Sequence, residues 1–185
     1  MRIEADSIVP FARPRTYAAY RDEMAQFVRY LPNIQGIDVE ERTDAADTVR
    51  IRNVWHGGGE MPAALRAVVK GDLFSWTDYA TWTNSDWRCE WRIETHALSE
   101  AVRCDGTTRF VELAGDRTRL EIRAELSIDL SRLRVVPSFL AGSLGRKVEQ
   151  FLVRQIAPNL TGVSDALTKY LTNESDPTRV ITSSG

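Results

Sequence analysis

Four tryptophans and one aspartate are concentrated in the stretch WTDYATWTNSDWRCEW, which covers residues 76–91. The tryptophans are Trp76, Trp82, Trp87 and Trp91, and Trp55 precedes them. Indole rings can form a protein core, a stacking platform for bases or sugars, or the wall of a ligand cavity. A carboxylate among such rings, here Asp78, could orient a hydroxyl or amine of a ligand. It could also act as a general acid or base if burial raised its pKa.

Two short segments resemble parts of a lipase. HGGG at residues 56–59 is similar to an oxyanion-hole loop, and AGSLG at residues 141–145 is similar to a nucleophile elbow centred on Ser143. A hydrolase of that class carries its histidine after the serine, but His56 and His96 both precede Ser143. The elbow also needs a parallel strand that leads into a helix. The residue order therefore argues against a lipase, and HGGG is predicted to be a flexible loop.

The candidate metal ligands are few and scattered. The chain has two histidines and two cysteines, Cys89 and Cys104, without a CxxC motif or a cluster of donors. We therefore predict no metal and no cofactor. The cysteines are predicted to be small buried residues.

Composition excludes several classes of partner. The formal net charge is −2, whereas a general nucleic-acid binder needs a basic surface, so no nucleic-acid partner is predicted. No run approaches the roughly 20 apolar residues of a membrane helix, so no membrane insertion is predicted. The N-terminal stretch MRIEADSIVPFARP lacks an apolar signal core, which favours a cytoplasmic protein. The oligomeric state is not indicated.

The elements that position the aromatic residues can be read from hydrophobic periodicity. An amphipathic helix is predicted after Pro14 and ends at Pro32, and a short helix is predicted after Pro62. A long helix begins at Pro137, continues to about residue 172 and is expected to kink at Pro158. Seven strands are predicted, at residues 2–9, 36–41, 48–55, 72–82, 87–96, 101–112 and 118–130.

The hairpins predict which side chains share a face. If TNSD is a four-residue loop, Trp82 pairs with Trp87 and Asp78 pairs with Trp91. The next two hairpins pair Ile93 with Cys104 and Phe110 with Leu120. In this register all four tryptophans face inward while the arginine and glutamate rows face outward. The carboxylates and amide on the inner face are Asn53, Asp78 and Glu112.

The position of Asp78 leaves two interpretations open. A dry core does not bury an unpaired carboxylate, since the cost is several kcal/mol, whereas a solvent-reachable cavity tolerates one. Alternatively the tryptophans are plain core, and Asp78 lies at a sheet edge or pairs with an arginine.

The order of elements resembles the START-like superfamily, also called SRPBCC or Bet v 1-like. The stretches LFSWTDYATW, AVRCDGTTRFVELAGDRTRLEIRAELSID and VPSFLAGSLGRKVEQFL are similar to its bacterial polyketide cyclase/dehydrase-type branch. The resemblance covers about residues 2–172. It implies an α+β helix-grip fold, with a curved seven-stranded antiparallel sheet around a long C-terminal helix. Residues 1–172 are predicted to form this domain, and residues 173–185 a flexible tail.

The resemblance also implies a cavity between sheet and helix for apolar ligands such as lipids, sterols, polyketides or quinones, and only some members are enzymes. The first hypothesis is therefore binding of a small, mainly apolar ligand. Its predicted contacts are Asn53, Trp55, Trp76, Asp78, Trp82, Trp91 and Phe110. The alternative is an aromatase/cyclase-type enzyme that uses Asp78 or Glu112, and a third hypothesis is a regulator that binds a partner through its convex face. Ligand access is predicted between residues 57–59, the helix after Pro62 and residues 137–145.

Overall fold

One antiparallel sheet of seven strands forms the framework of the molecule. A computed structural model describes residues 1–58, 74–129, 150, 153–154, 158, 160 and 162–175. The strands are β1 (Arg2–Val9), β2 (Ile34–Asp44), β3 (Thr48–Gly57), β4 (Ser75–Thr83), β5 (Arg88–Thr95), β6 (Val102–Leu113) and β7 (Arg117–Ile128). Their order in the sheet is β1-β7-β6-β5-β4-β3-β2, and every pairing is antiparallel.

The helical segments lie before β2 and at the C-terminus. They are α1 (Arg13–Asp22), α2 (Met24–Phe27), a 3₁₀ turn (Val28–Tyr30) and α3, of which residues 162–174 are the continuous described part. Pro14 stands in the first turn of α1, where its missing N–H costs no helical hydrogen bond. Among the described residues no helix is long and apolar enough to cross a bilayer.

The predicted single helix between Pro14 and Pro32 is interrupted at Glu23. Glu23 leaves helical geometry (φ −118°, ψ 12°), and its N–H closes α1 on the carbonyl of Ala19. The guanidinium of Arg15 holds the Glu23 carboxylate with two hydrogen bonds of 2.6 and 3.0 Å. The change of direction places Phe27 and Val28 in the core.

The register prediction is correct for two hairpins and wrong for one. Ile93 pairs with Cys104 and Phe110 pairs with Leu120, as predicted. Between β4 and β5, however, Trp82 pairs with Cys89 and Asp78 pairs with Ile93, two residues away from the prediction. Because the displacement is an even number of residues, every side chain keeps its predicted face.

The displaced register has a cause outside the hairpin itself. The β4–β5 turn spans residues 84–87, and Trp87 takes a positive φ of 50° as its last residue. Asp47, in the neighbouring β2–β3 turn, accepts hydrogen bonds from the N–H and hydroxyl of Ser85 at 2.8 and 2.7 Å. Trp87 therefore belongs to the turn, and its ring packs against Tyr17 and beneath the guanidinium of Arg13.

The C-terminal helix packs on the inner face of the sheet. Its buried residues recur at three- and four-residue spacing, and they are Val163, Ala166, Leu167, Tyr170 and Leu171. They share one core cluster with Trp82 on β4 and with Leu120 and Ile122 on β7. The seven-stranded antiparallel sheet and this helix confirm the predicted α+β helix-grip architecture. The predicted helix start at Pro137 lies outside the described residues. Pro158 itself is helical and exposed, but the residues on either side of it lie outside the described ranges, so the kink predicted there stays a prediction.

Candidate functional site

A cavity lies between the inner face of strands β3–β5 and the helices that cover them. Six of the seven residues predicted to contact a ligand line it, and they are Asn53, Trp55, Trp76, Asp78, Trp82 and Trp91. The helical side contributes Tyr20, Met24, Leu160 and Val163. The alternation of β-strand side chains brings the six together, since all occupy inward positions of neighbouring strands.

Asp78 is the one carboxylic acid among the described residues that line the cavity. It pairs with Asn53 on β3 and with Ile93 on β5, and it is 9% exposed. Burial raises the pKa of Asp78 to about 7, and the Asn53 amide and Trp55 indole oppose this by favouring the anion. Among the described residues no arginine, lysine or histidine forms an ion pair with it. Near neutral pH this carboxyl can therefore either accept or donate a proton.

Three further polar atoms of the cavity wall are buried without a hydrogen-bond partner in the described part of the chain. They are Trp55 Nε1, Trp82 Nε1 and Thr95 Oγ1. The Trp55 N–H lies near the Asp78 carboxyl without completing a hydrogen bond, which explains its effect on the Asp78 pKa. An unsatisfied buried donor or acceptor costs about 1–3 kcal/mol, so these atoms are positions where a bound molecule gains hydrogen bonds.

The tryptophans are held in two different ways. Trp55 and Trp76 are cross-strand neighbours and stack on each other, with ring centroids 5.6 Å apart and an interplanar angle of 16°. Trp91 donates from Nε1 to Thr108 Oγ1 at 3.1 Å, and its ring lies against Gly106. These indole rings and the Asp78 carboxyl therefore line the same cavity.

Comparison with known proteins gives matches of structure. No family model matches the chain, and no curated protein is significantly similar in sequence. A solved Thermus thermophilus protein matches with TM-score 0.61 and 16% identity over 92% of this chain and 99% of that one. The Zhui aromatase/cyclase of a Streptomyces species matches with TM-score 0.63 and 14% identity over 97% and 98%. Norcoclaurine synthase from Thalictrum flavum, in complex with dopamine and hydroxybenzaldehyde, matches with TM-score 0.55 and 13% identity over 95% and 88%.

The chain has the START-like (Bet v 1-like) fold. The predicted resemblance is thereby confirmed for the fold over nearly the whole chain. Within START-like structures, identities of 13–16% establish a shared architecture alone. The chemistry of the cavity therefore depends on this chain's own residues.

Phe110 does not line the START-like cavity. It is 3% exposed and packs edge-on against Tyr17 and Tyr20, with ring centroids 5.1 and 5.6 Å away. The prediction that Phe110 forms part of the cavity wall is wrong, because α1 covers this end of the inner face and turns it into core.

Glu112 also lies away from the cavity, although its position in the register is inward-facing. β6 extends to Leu113, so the last inward position lies at the rim of the sheet. The Glu112 carboxylate is 64% exposed and forms an ion pair with Arg13 at 2.7 Å. The prediction of Glu112 as a cavity acid is therefore wrong in its placement.

Tyr20 and Gly106 are two site residues that sequence analysis did not single out. Burial raises the pKa of the Tyr20 hydroxyl, and Cys89 and Asp78 add to this while Thr108 opposes it. In the sequence, Tyr20 is marked only by its place on the apolar face of the amphipathic helix that is predicted after Pro14. The predicted pairing of Ile93 with Cys104 places Gly106 opposite Trp91, and a small residue opposite a large one is the indication in the sequence for Gly106.

The two cysteines are free and buried, as predicted. Cys89 lines the cavity, while Cys104 lies in a second core cluster with Val102 and Leu126. Burial raises the pKa of the Cys104 thiol to about 12 and also raises that of Cys89. Neither thiol is activated as a nucleophile.

Both histidines lie on the outer face of the sheet, opposite the cavity. His56 belongs to β3 rather than to a loop, and its Nε2 is 2.8 Å from Asp38 Oδ2. His96 Nε2 is 2.9 Å from the hydroxyl of Thr77. In the described ranges no group of three or more potential ligands could hold a metal ion. Ser143 lies outside those ranges.

The predicted access route is described only at its beginning. Gly57 donates a hydrogen bond to the carbonyl of Phe74, and Gly58 donates one to the carbonyl of Asn33, both at 2.7 Å. The first half of the predicted flexible loop is therefore anchored to the sheet. Gly59, the short helix after Pro62 and residues 137–145 lie outside the described residues.

Proposed function

We propose that the protein binds a small, mainly apolar ligand in the cavity between the sheet and the C-terminal helix. One observation carries the proposal. The buried carboxyl of Asp78 shares an indole-lined cavity with unpartnered polar atoms of Trp55, Trp82 and Thr95. Such a combination of apolar walls and a few convergent polar groups is typical of ligand sites. The ligand classes that fit are molecules of lipid, sterol, polyketide or quinone type with one polar group.

The structural neighbours support an aromatic or polycyclic ligand. The Zhui protein is an aromatase/cyclase, and norcoclaurine synthase was crystallised with dopamine and hydroxybenzaldehyde. The stacked pair of Trp55 and Trp76 offers flat apolar surface to a molecule of this shape.

The proposal is tested by identifying what the protein retains and what it binds. Native mass spectrometry of the purified protein should reveal a bound small molecule. Tryptophan fluorescence titrated with fatty acids, sterols, quinones and aromatic polyketides should show saturable quenching or enhancement. A crystal structure in which side chains fill the space above Asp78 would disprove the proposal.

A second candidate function is favoured by one further observation. Asp78, with a pKa near 7, shares the cavity with the Tyr20 hydroxyl, and this provides a carboxyl base and a phenol that can donate a hydrogen bond to a developing oxyanion. In an aromatase/cyclase reaction, the Asp78 carboxylate would take a proton from a methylene between two carbonyls. The resulting enolate carbon would attack a ketone of the same chain, and the new alkoxide would take the proton from the Asp78 carboxyl, which restores the carboxylate. Asp78→Asn should then abolish turnover of a poly-β-keto substrate while binding persists, and absence of turnover in the unaltered protein would exclude this function.

A further inference from the structure

The Asp78 carboxylate has no counter-charge within the described part of the protein. Its neighbours in the sheet are Asn53 and Ile93, and its hydrogen-bonding surroundings are an amide and an indole. A buried carboxylate is strongly destabilised unless a cation or several hydrogen bonds compensate it. The ionised form of this residue is therefore stabilised by any cation that enters the cavity.

Arg21 is the one cationic side chain among the described residues that line the cavity, and its hydrogen bonds go to residues other than Asp78. Its Nε and Nη2 donate to the two Asp22 oxygens at 2.8 Å each, and its Nη1 donates to Asn84 Oδ1 at 2.7 Å. Its guanidinium carbon also lies 5.4 Å from the centroid of the Tyr17 ring. These contacts hold Arg21 at the end of the cavity near the β4–β5 turn.

Within the described ranges, the remaining titratable groups that interact with Asp78 are acids that keep their protons. Tyr20 on α1, Cys89 on β5 and Cys104 on β6 all interact with Asp78, and burial raises the pKa of each. On the C-terminal helix, the described residues that line the cavity are the apolar Leu160 and Val163. Each of these elements therefore leaves the Asp78 charge uncompensated.

The walls of the cavity are suited to a cation. Trp55, Trp76 and Trp91 line the cavity together with Asp78, and Ala80 and Ile93 add apolar surface to it. A positive charge over an indole gains about 0.5–2 kcal/mol, more when it is desolvated, and cages of aromatic rings bind ammonium groups in this way. A neutral hydroxyl would donate one hydrogen bond and leave the carboxylate charge in place, whereas an ammonium group neutralises it.

We propose that the polar group of the ligand is a protonated amine, held by the Asp78 carboxylate among the indole rings of the cavity. The inference rests on the proposed function and specifies the ligand class of the same site. The ligands are small amines with an aromatic or alicyclic body, and the body occupies the apolar part of the cavity while the ammonium group contacts Asp78.

The test compares amines with alcohols of the same shape. Calorimetric titrations use 2-phenylethylamine, 2-(2-naphthyl)ethylamine and 2-(biphenyl-4-yl)ethylamine, each against the corresponding alcohol. Such amines stay protonated below about pH 9, so of the two groups in the proposed ion pair only the Asp78 carboxyl changes its charge between about pH 5.5 and 8.5. Amine affinity should rise about tenfold or more across this interval as Asp78 ionises, because the ammonium binds the anion. Alcohol affinity should stay constant or fall.

Two variants complete the design. Asp78→Asn should remove the preference for amines while alcohol binding persists. Asp105→Asn makes the same substitution at an exposed position of β6 and should leave both unchanged. The unaltered protein's own pH dependence keeps the inference testable if Asp78→Asn fails to fold.

Three results would contradict the inference in distinguishable ways. Equal binding of amine and alcohol, without pH dependence, would overturn the amine assignment and leave an apolar ligand cavity. Binding of sterols or quinones with no binding of any amine would do the same. Failure of the amines, the alcohols and the whole lipid, sterol, quinone and polyketide panel would overturn both this inference and the proposed function.

Discussion

Trp91 lies against Gly106 across the β5–β6 pair, so closely that residue 106 has no room for a side chain. A Cβ at this position would lie 2.6 Å from Cζ2 and 2.8 Å from Cη2 of the Trp91 ring, and 2.5 Å from the carbonyl oxygen of Arg123. The glycine thus allows the indole to lie on the sheet while its Nε1 donates to Thr108. The absence of a side chain at Gly106 on β6 therefore sets the position of the Trp91 ring, which is part of the cavity wall on β5.

Gly106→Ala should therefore destabilise the fold and move the Trp91 ring. Overpacking of this kind costs about 1–3 kcal/mol, measured as the free energy of unfolding in urea. The displaced indole should also alter the tryptophan emission spectrum. Gly36→Ala is the matched control, because nothing lies within 4 Å of a Cβ there, and its effect should stay within about 0.5 kcal/mol. Equal stability of the two variants would contradict the packing described here.

Asp78 should make the protein less stable as the pH rises from 5 to 8. The pKa of Asp78 is about 7 in the folded state against an ordinary value of 3.8, so over most of this interval the folded state holds a proton that the unfolded state has lost. Stability from this group is therefore present at low pH and lost as the pH rises through 7. Its loss between about pH 5 and pH 8 amounts to roughly 2–3 kcal/mol.

The measurement is the difference in unfolding free energy between the protein and its Asp78→Asn variant at several pH values. The difference removes the contributions of Asp22, Glu23 and other carboxylates whose lowered pKa values act in the opposite direction. The variant should gain on the unaltered protein as the pH rises. A difference that is constant with pH would show that Asp78 titrates in the same way in both states.

The faces of the strands could be predicted from sequence more securely than their register. A period of two assigns inward and outward positions, and an even register displacement leaves that assignment intact. The displacement itself depends on Asp47 and Ser85, which belong to different turns and meet only in the folded sheet. The sequence of either turn alone therefore does not indicate that contact.

The extent of the cavity along the inner face could not be predicted from periodicity. Asp78, Glu112 and Phe110 all occupy inward positions, but only Asp78 lies in the cavity. What separates them is the docking of α1, which covers Phe110 and brings Arg13 to Glu112. The same docking brings Tyr20 into the cavity. Helix-on-sheet packing depends on long-range contacts, so its outcome is visible only in the structure.

Trp55→Phe should raise the pKa of Asp78 further. The substitution keeps an aromatic ring beside Trp76 but removes the indole N–H that favours the Asp78 anion. The carboxyl carbon of Asp78, followed by ¹³C NMR in a pH titration, reports this directly. Trp76→Phe is the control, since its N–H contributes no such effect, and it should leave the titration where it is. A lower pKa in Trp55→Phe would contradict the electrostatic role assigned to this indole.

Glu112→Gln should leave ligand binding unchanged and alter stability by no more than about 1 kcal/mol, because exposed ion pairs are worth about that at most. Fluorescence titration and urea unfolding measure the two quantities. Asp78→Asn, at the other predicted carboxylate, should change binding under the same conditions. Loss of binding in Glu112→Gln would return this residue to the list of site candidates.

The amides of Gly57 and Gly58 should exchange slowly with solvent even without ligand. Each donates a 2.7 Å hydrogen bond, to Phe74 and Asn33 respectively, and such bonds must open before exchange occurs. Gly115, in the exposed β6–β7 turn at a φ of 75°, provides a fast-exchanging comparison. Residue-resolved hydrogen exchange by NMR measures all three.

Ligand should then add protection beyond Gly58, within residues 59–65 and 137–145, with little further gain at the two anchored glycines. Rapid exchange of Gly57 and Gly58 in the free protein, followed by protection on binding, would contradict the anchoring of these two residues by their hydrogen bonds.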